Sequence, residues 1–261
     1  MKISHETPRC LLEQSKKFND YQYALPHLLE ADEIYRNHFL QCRDEGIEIY
    51  LDNSLHELGA SLNNDILLKW INILKPSNFF IPDVWEDQEQ SIKNAIEWST
   101  IETPNETTKV AIVQAKSFEE AKHCYQEYKR LGYKKVAFSY GASYYNYISG
   151  NGGDYGKAFG RYLLIKEFYN KNIFDKGDRI HLLGCSLPQE FGWYNRLDFS
   201  IESIDTSNPV MAAIEGWRYT ENGLKLKPKL NMNITFETPF NLVNGDLIHY
   251  NVKQFRKINK L

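Results

Sequence analysis

Three carboxylates, one amide and one glycine stand at or just beyond the ends of short apolar runs in this sequence. Asp52 follows residues 47–51, Asp83 follows 79–81, Gln114 follows 110–113, Gly141 follows 135–138, and Asp205 closes 197–204. If these runs are parallel strands, the five residues share one rim at the strands' C-terminal ends, where α/β folds place their chemistry. Carboxylates on one rim suit substitution at an acetal-like carbon, with one as nucleophile and another moving protons. The set suits a purine-like base equally well. A carboxylate accepts from the N1–H and 2-amino group of guanine, while an amide and a backbone N–H donate to O6 or N7. The residue types leave both open, and Asp205 taken locally also reads as a cap for the helix that Pro209 introduces.

The elements that must position these residues alternate along the chain. Strand candidates at 1–7, 21–29, 47–51, 79–81, 110–113, 135–138, 180–183 and 197–204 are nearly all followed by helical spacing, at 8–18, 31–43, 62–74, 88–98, 118–131 and 155–169. Alternation of this kind implies right-handed βαβ units and a parallel sheet, and eight units make a (β/α)8 barrel of TIM type over residues 1–216. An open doubly wound sheet is the alternative, but no glycine-rich phosphate loop follows any strand. Residues 217–261 break the rhythm. They read as a basic, β-rich extension packed on the barrel, with a half-exposed strand at 231–237. This tail carries Arg218, Lys225, Lys227, Lys229, Lys253, Arg256, Lys257 and Lys260 against three acids, which suits either a solvated terminus or a flap that contacts phosphate.

Composition narrows the classes. The 261 residues carry a net charge of −3, so nucleic-acid binding has no global electrostatic support and needs a local one. The four cysteines, Cys10, Cys42, Cys124 and Cys185, form no CxxC and no cluster with histidine. They read as reduced thiols of a cytoplasmic protein, with neither a disulfide framework nor a zinc site. No apolar run reaches the length of a membrane span. His5, His27, His56 and His181 lie near strand ends and read as structural histidines, too scattered for metal ligands. The Tyr- and Gly-rich stretch 144–157 reads as a loop over the mouth, either irregular surface or a set of rings for stacking on bases.

Six motifs, in order, carry a family resemblance over roughly residues 1–216. IYLDNS at 49–54 resembles ILTDSGG, FIPDVWEDQEQSIKNAIEW at 80–98 resembles an FDECTP segment with its helix, and VAIVQA at 110–115 resembles FGIVQG. SYGAS at 139–143 is similar to VGGLA, HLLGCSLP at 181–188 to YLMGVGxP, and SIDTSNP at 203–209 to FDCVLP. The pattern is that of the tRNA-guanine transglycosylase superfamily, and most of its phage-type branch, the DpdA-like enzymes that place 7-deazaguanines in DNA.

The resemblance implies a base-exchanging pentosyltransferase that acts on DNA and a free 7-deazaguanine such as the 7-cyano form, without redox cofactor or metal. It makes Asp205 the nucleophile at C1′ and Asp52 the general acid/base. Asp83 and Gln114 would bind the base edge, with Gly141, Ala142 and Gly184 completing that subsite. Tyr144, Tyr145, Lys157, Lys225 and Lys227 would contact the polynucleotide, whose target base must be flipped or unpaired. The sequence departs from the pattern at Tyr140 and Ala115, where the motifs carry glycine. It also lacks the Arg-bearing segment and the C-terminal Cys/His zinc site of the tRNA enzymes. A reduced tRNA-type enzyme, a barrel-fold N-glycoside hydrolase and a catalytically silent nucleic-acid-binding barrel are the alternatives.

Overall fold

The strand cores are built from residues that tolerate burial on both faces. Ile49–Leu51, Asn78–Phe80 and Gln22–Ala24 are buried throughout, as strands covered by helices on one side and by a barrel interior on the other must be. In a computed structural model that describes residues 1–229 and 236–261, eight strands form one all-parallel sheet. These are β1 (Lys2–Ser4), β2 (Gln22–Ala24), β3 (Ile49–Leu51), β4 (Asn78–Phe80), β5 (Thr108–Val113), β6 (Lys135–Ser139), β7 (Arg179–Leu183) and β8 (Ser203–Asp205). Their order, β1-β8-β7-β6-β5-β4-β3-β2, makes every sequence neighbour from β2 to β8 a spatial one and brings β8 back beside β1. This is the TIM-type barrel expected from the alternation.

The remaining seam, between β1 and β2, is stitched by Asp20 and Asn19. Asp20 donates its amide to Ile3 O (2.8 Å), and its carboxylate accepts from Ile3 N (2.9 Å). Asn19 uses its side-chain amide for both bonds to the His5 backbone, Oδ1 accepting from His5 N (2.8 Å) and Nδ2 donating to His5 O (3.0 Å). Inside the barrel Tyr21 stacks on Tyr50 at 3.9 Å, and Phe80 lies 5.0 Å from the His181 ring. At the opposite end from the rim, buried Lys135 donates to Tyr50 Oη (2.8 Å) and Glu202 (2.9 Å).

Three sequence expectations are corrected. Of the 197–204 run only Ser203 and Ile204 are strand, which continues to Asp205. Within 21–29 the strand stops at Ala24, because Pro26 fits the first turn of the helix Pro26–Ala31. The 144–157 stretch is largely helical rather than a loop, with helices at Tyr144–Ser149 and Gly153–Asn170. These two helices approach closely because Gly156 and Gly160 lack a Cβ, which would collide with the backbone of Asn151 and Tyr145.

The tail is also not β-rich where it is described. Most of the strand expected at 231–237 lies outside the described residues, and among the described residues of the tail the only pairing is an isolated bridge between Thr220 and Gly223. Its main element is the helix Gly245–Asn259. The helices after β1 and β7, Leu12–Ser15 and Phe191–Tyr194, have four residues each, and the C-terminal helix covers the barrel wall they leave bare. Ile248 and Val252 join Leu11, Val210 and Ala213 in one apolar cluster. Asn251, fully buried, donates to Pro209 O (3.2 Å) and Trp217 O (2.9 Å) and accepts from Tyr219 N (2.9 Å). Asn251→Leu should therefore cost about 3 kcal/mol, since three buried backbone groups lose their partner. Chemical denaturation measures it, and a loss below about 1 kcal/mol would separate the tail from the barrel's cooperative unit. No helix among the described residues is long and apolar enough to cross a membrane.

Candidate active site

The exits of the strands surround a cavity of about 730 Å³. Asp52, Asp83, Gln114, Gly141, Gly184 and Asp205 all line it, as do Lys157 and Lys227. The other expected site residues do not. Ala142, Tyr144 and Tyr145 are buried in the core, with Tyr145 donating to Ser139 O at 3.0 Å, so neither tyrosine is free to stack on a base. Lys225 is exposed and lies outside the lining. The exposed rings of the 144–157 stretch are instead Tyr147 and Tyr155, while Trp85 stands at the mouth, about half-exposed.

Asp205 ends β8 with its carboxylate between two donors. His181 Nε2 lies 2.9 Å from Oδ1, and Gly184 N donates to Oδ2 at 3.3 Å. Burial holds His181 well below the usual imidazole range, with Lys135 and Arg161 acting in the same direction, so the ring is neutral. When Asp205 is ionised, the neutral ring carries its proton on Nε2, and Nδ1 then accepts from Ser203 Oγ at 2.8 Å. The register of β7 on β8, His181 opposite Ser203 and Leu183 opposite Asp205, builds this chain. Burial, and next the charge of Asp52, push the Asp205 carboxyl well above its ordinary range, against the Gly184 N–H.

Asp52 accepts from Tyr23 Oη (2.8 Å) and Ser54 N (2.9 Å). Burial raises its carboxyl despite these donors. The turn that supplies the second donor passes through Ser54 at φ 62°, left-handed backbone that a serine adopts only at a cost. Asp83 is gripped by two amides, Asn53 Nδ2 on one oxygen (2.7 Å) and Gln114 Nε2 on the other (2.6 Å), while Gln114 Oε1 accepts from Glu86 N (2.9 Å). Burial pushes Asp83 up to about 7 against those two bonds. Each Asp83 oxygen keeps a second lone pair, so a ligand edge with two N–H groups can still be accepted.

Four participants escaped the sequence reading. Glu6, beyond β1, and Glu57, in the turn after Asp52, both line the cavity. Burial and the neighbouring acids raise both carboxyls well above their ordinary range, with Asp205 and Asp52 acting on Glu6, and Asp52 and Glu6 on Glu57. His181 was read as structural yet holds Asp205, and Asn53 joins the Asp52 turn to Asp83. Glu6 was visible at a strand end; the other three depend on pairing register and turn geometry. Crowded carboxylates of this kind cannot all ionise at neutral pH, so the cluster retains protons and favours any positive charge that develops among them. Among the described residues no group of three or more His, Cys, Asp or Glu is arranged to hold a metal ion.

No protein-family model matches this chain. No curated protein matches it either. The other side of the mouth is basic and aromatic. Lys227 lies 4.1 Å over the Tyr140 ring and donates to its hydroxyl, and the Lys227 amide donates to Asp154 (2.9 Å). Gly184 must be glycine: its φ is 57°, and a Cβ there would collide with the Tyr140 ring. The site thus has an acidic floor and a rim bearing lysines and rings.

Proposed function

We propose that this protein is a base-exchange glycosyltransferase of the tRNA-guanine transglycosylase type, which replaces guanine in DNA with a 7-deazaguanine. One observation carries the reading: Asp52, Asp83, Gln114, Gly141, Gly184 and Asp205, each from a different motif of the resemblance, line a single cavity. The left-handed backbone at Ser54 adds support, because the resembling ILTDSGG motif has glycine there.

In this reading Asp205, oriented by His181 and Gly184, attacks C1′ of the target nucleoside, and the C1′–N9 bond breaks. Asp52 supplies a proton to the departing guanine and later takes one from the incoming 7-deazaguanine, whose nitrogen displaces Asp205 from C1′. The carboxylate floor stabilises the oxocarbenium-like charge in both displacements. Asp83 accepts from N1–H and the 2-amino group, and Gln114 and the Gly141 N–H donate to the acceptor edge. Lys157 and Lys227 at the rim suit backbone phosphates of an unpaired or flipped nucleotide.

Incubation with labelled 7-deazaguanine and, separately, single-stranded DNA and tRNA tests the assignment. Label is expected in DNA. Label confined to tRNA would remove the DNA substrate, and guanine release that ignores added base would indicate a hydrolase.

A further inference from the structure

A buried cation close to the rim, Arg161, has no part in the mechanism above. Arg161 lies on the helix Gly153–Asn170, is 1% exposed, and reaches the exits of β6 and β7. Its Nε pairs with buried Glu190 (2.6 Å), which also accepts from Tyr194 Oη (3.0 Å). The remaining nitrogens donate to three carbonyls, Phe138 O (3.1 Å), Leu183 O (2.7 Å) and Gly184 O (2.8 Å). A guanidinium that spends its donors on strand-end carbonyls fixes their planes as a flexible ammonium cannot.

Leu183 C=O and Gly184 N–H belong to the same peptide group. Arg161 donates to its oxygen, and its N–H points the other way, onto Asp205 Oδ2. The peptide is thus clamped end to end between a cation and the carboxylate. Polarisation along such a chain strengthens the N–H as a donor. Gly160, next to Arg161 in sequence, allows the close helix approach already described.

We infer that Arg161 is a positioning residue for the reaction. Acting through the Leu183–Gly184 peptide, it holds the donor that keeps Asp205 aimed and favours its ionisation inside a cavity crowded with acids. The catalytic part of this inference rests on the function proposed above; the link from Arg161 to Asp205 does not. The groups that act on the Asp205 carboxyl are Asp52, Glu57 and Glu6, which oppose ionisation, and Arg161, the Gly184 N–H and the His181 N–H, which favour it.

The test is a carboxyl-carbon NMR titration of Asp205, with the Gly184 amide as a second reporter, in the parent, Arg161→Met and Arg161→Lys, each checked for folding by circular dichroism. The Asp205 midpoint should rise by about one pH unit in Arg161→Met. A smaller rise, with a displaced Gly184 amide resonance, is expected in Arg161→Lys, which keeps the charge but cannot reach all three carbonyls. Base exchange in either variant should lose kcat with little change in KM and recover as pH increases. Unchanged Asp205 and Gly184 signals in a folded variant would overturn the inference, and if Arg161→Met does not fold the lysine variant decides alone. Shifted signals in a protein that exchanges no base would leave the Arg161 link standing and remove the proposed reaction instead.

Discussion

Asp205→Asn is expected to lower base exchange by at least roughly 10⁴-fold while the free base still binds. The carboxamide has nearly the shape of the carboxylate, and its oxygen can keep the Gly184 N–H bond. Its NH2 would face His181 Nε2, and the imidazole can answer by carrying its proton on Nδ1 and donating to Ser203 Oγ. Packing survives and only the nucleophile is lost. The amide also removes an acid whose ionisation is opposed by burial and by Asp52, so the variant should be at least as stable as the parent at neutral pH. Label incorporation measures the first effect and calorimetric titration with a 7-deazaguanine the second. Parent-like exchange by this variant would remove the nucleophile assignment.

The second large effect is a pH-dependent stability carried by Asp83. Its carboxyl stands at about 7 in the fold against an ordinary 3.8, so between these values the folded protein holds a proton that the unfolded chain has released. That difference stabilises the fold below about pH 4 and is lost progressively as pH rises towards 7. At about 1.4 kcal/mol per unit, the full swing is on the order of 4 kcal/mol. Asp83→Asn deletes the titration. Urea denaturation of parent and variant from pH 4 to 8 should show the parent falling behind as pH rises, with the gap levelling above about 7. A pH-independent gap would contradict the assignment. Asn also cannot accept from two adjacent N–H groups, so 7-deazaguanine affinity should fall about 10- to 100-fold in the variant.

The part of this site that could be read in the sequence is the part fixed by strand exits. Buried triplets such as Ile49–Leu51 leave the sheet at a polar residue, so Asp52, Gln114 and Asp205 could be placed on a common rim before any coordinates. Residues whose role depends on what lies across the ladder were not legible: His181 meets Asp205 only through the β7–β8 register. The 144–157 stretch misled because Gly and Asn usually mark loops. Here Gly156 and Gly160 serve helix packing, and Tyr144 and Tyr145 go to the core. The C-terminal helix was hidden for a related reason. Its inward face carries Asn251 and Asn259 among Ile248, Val252 and Phe255, and these amides satisfy backbone groups of the barrel rather than water.

The central claim is a covalent bond between Asp205 and the sugar of a nucleotide. Mass spectrometry of the protein, quenched in acid during incubation with guanine-containing single-stranded DNA and then digested, tests it most directly. An adduct on the peptide that contains Asp205, absent from Asp205→Asn and cleared by adding 7-deazaguanine, is the predicted result. Base exchange that proceeds with the adduct on another residue would contradict the account.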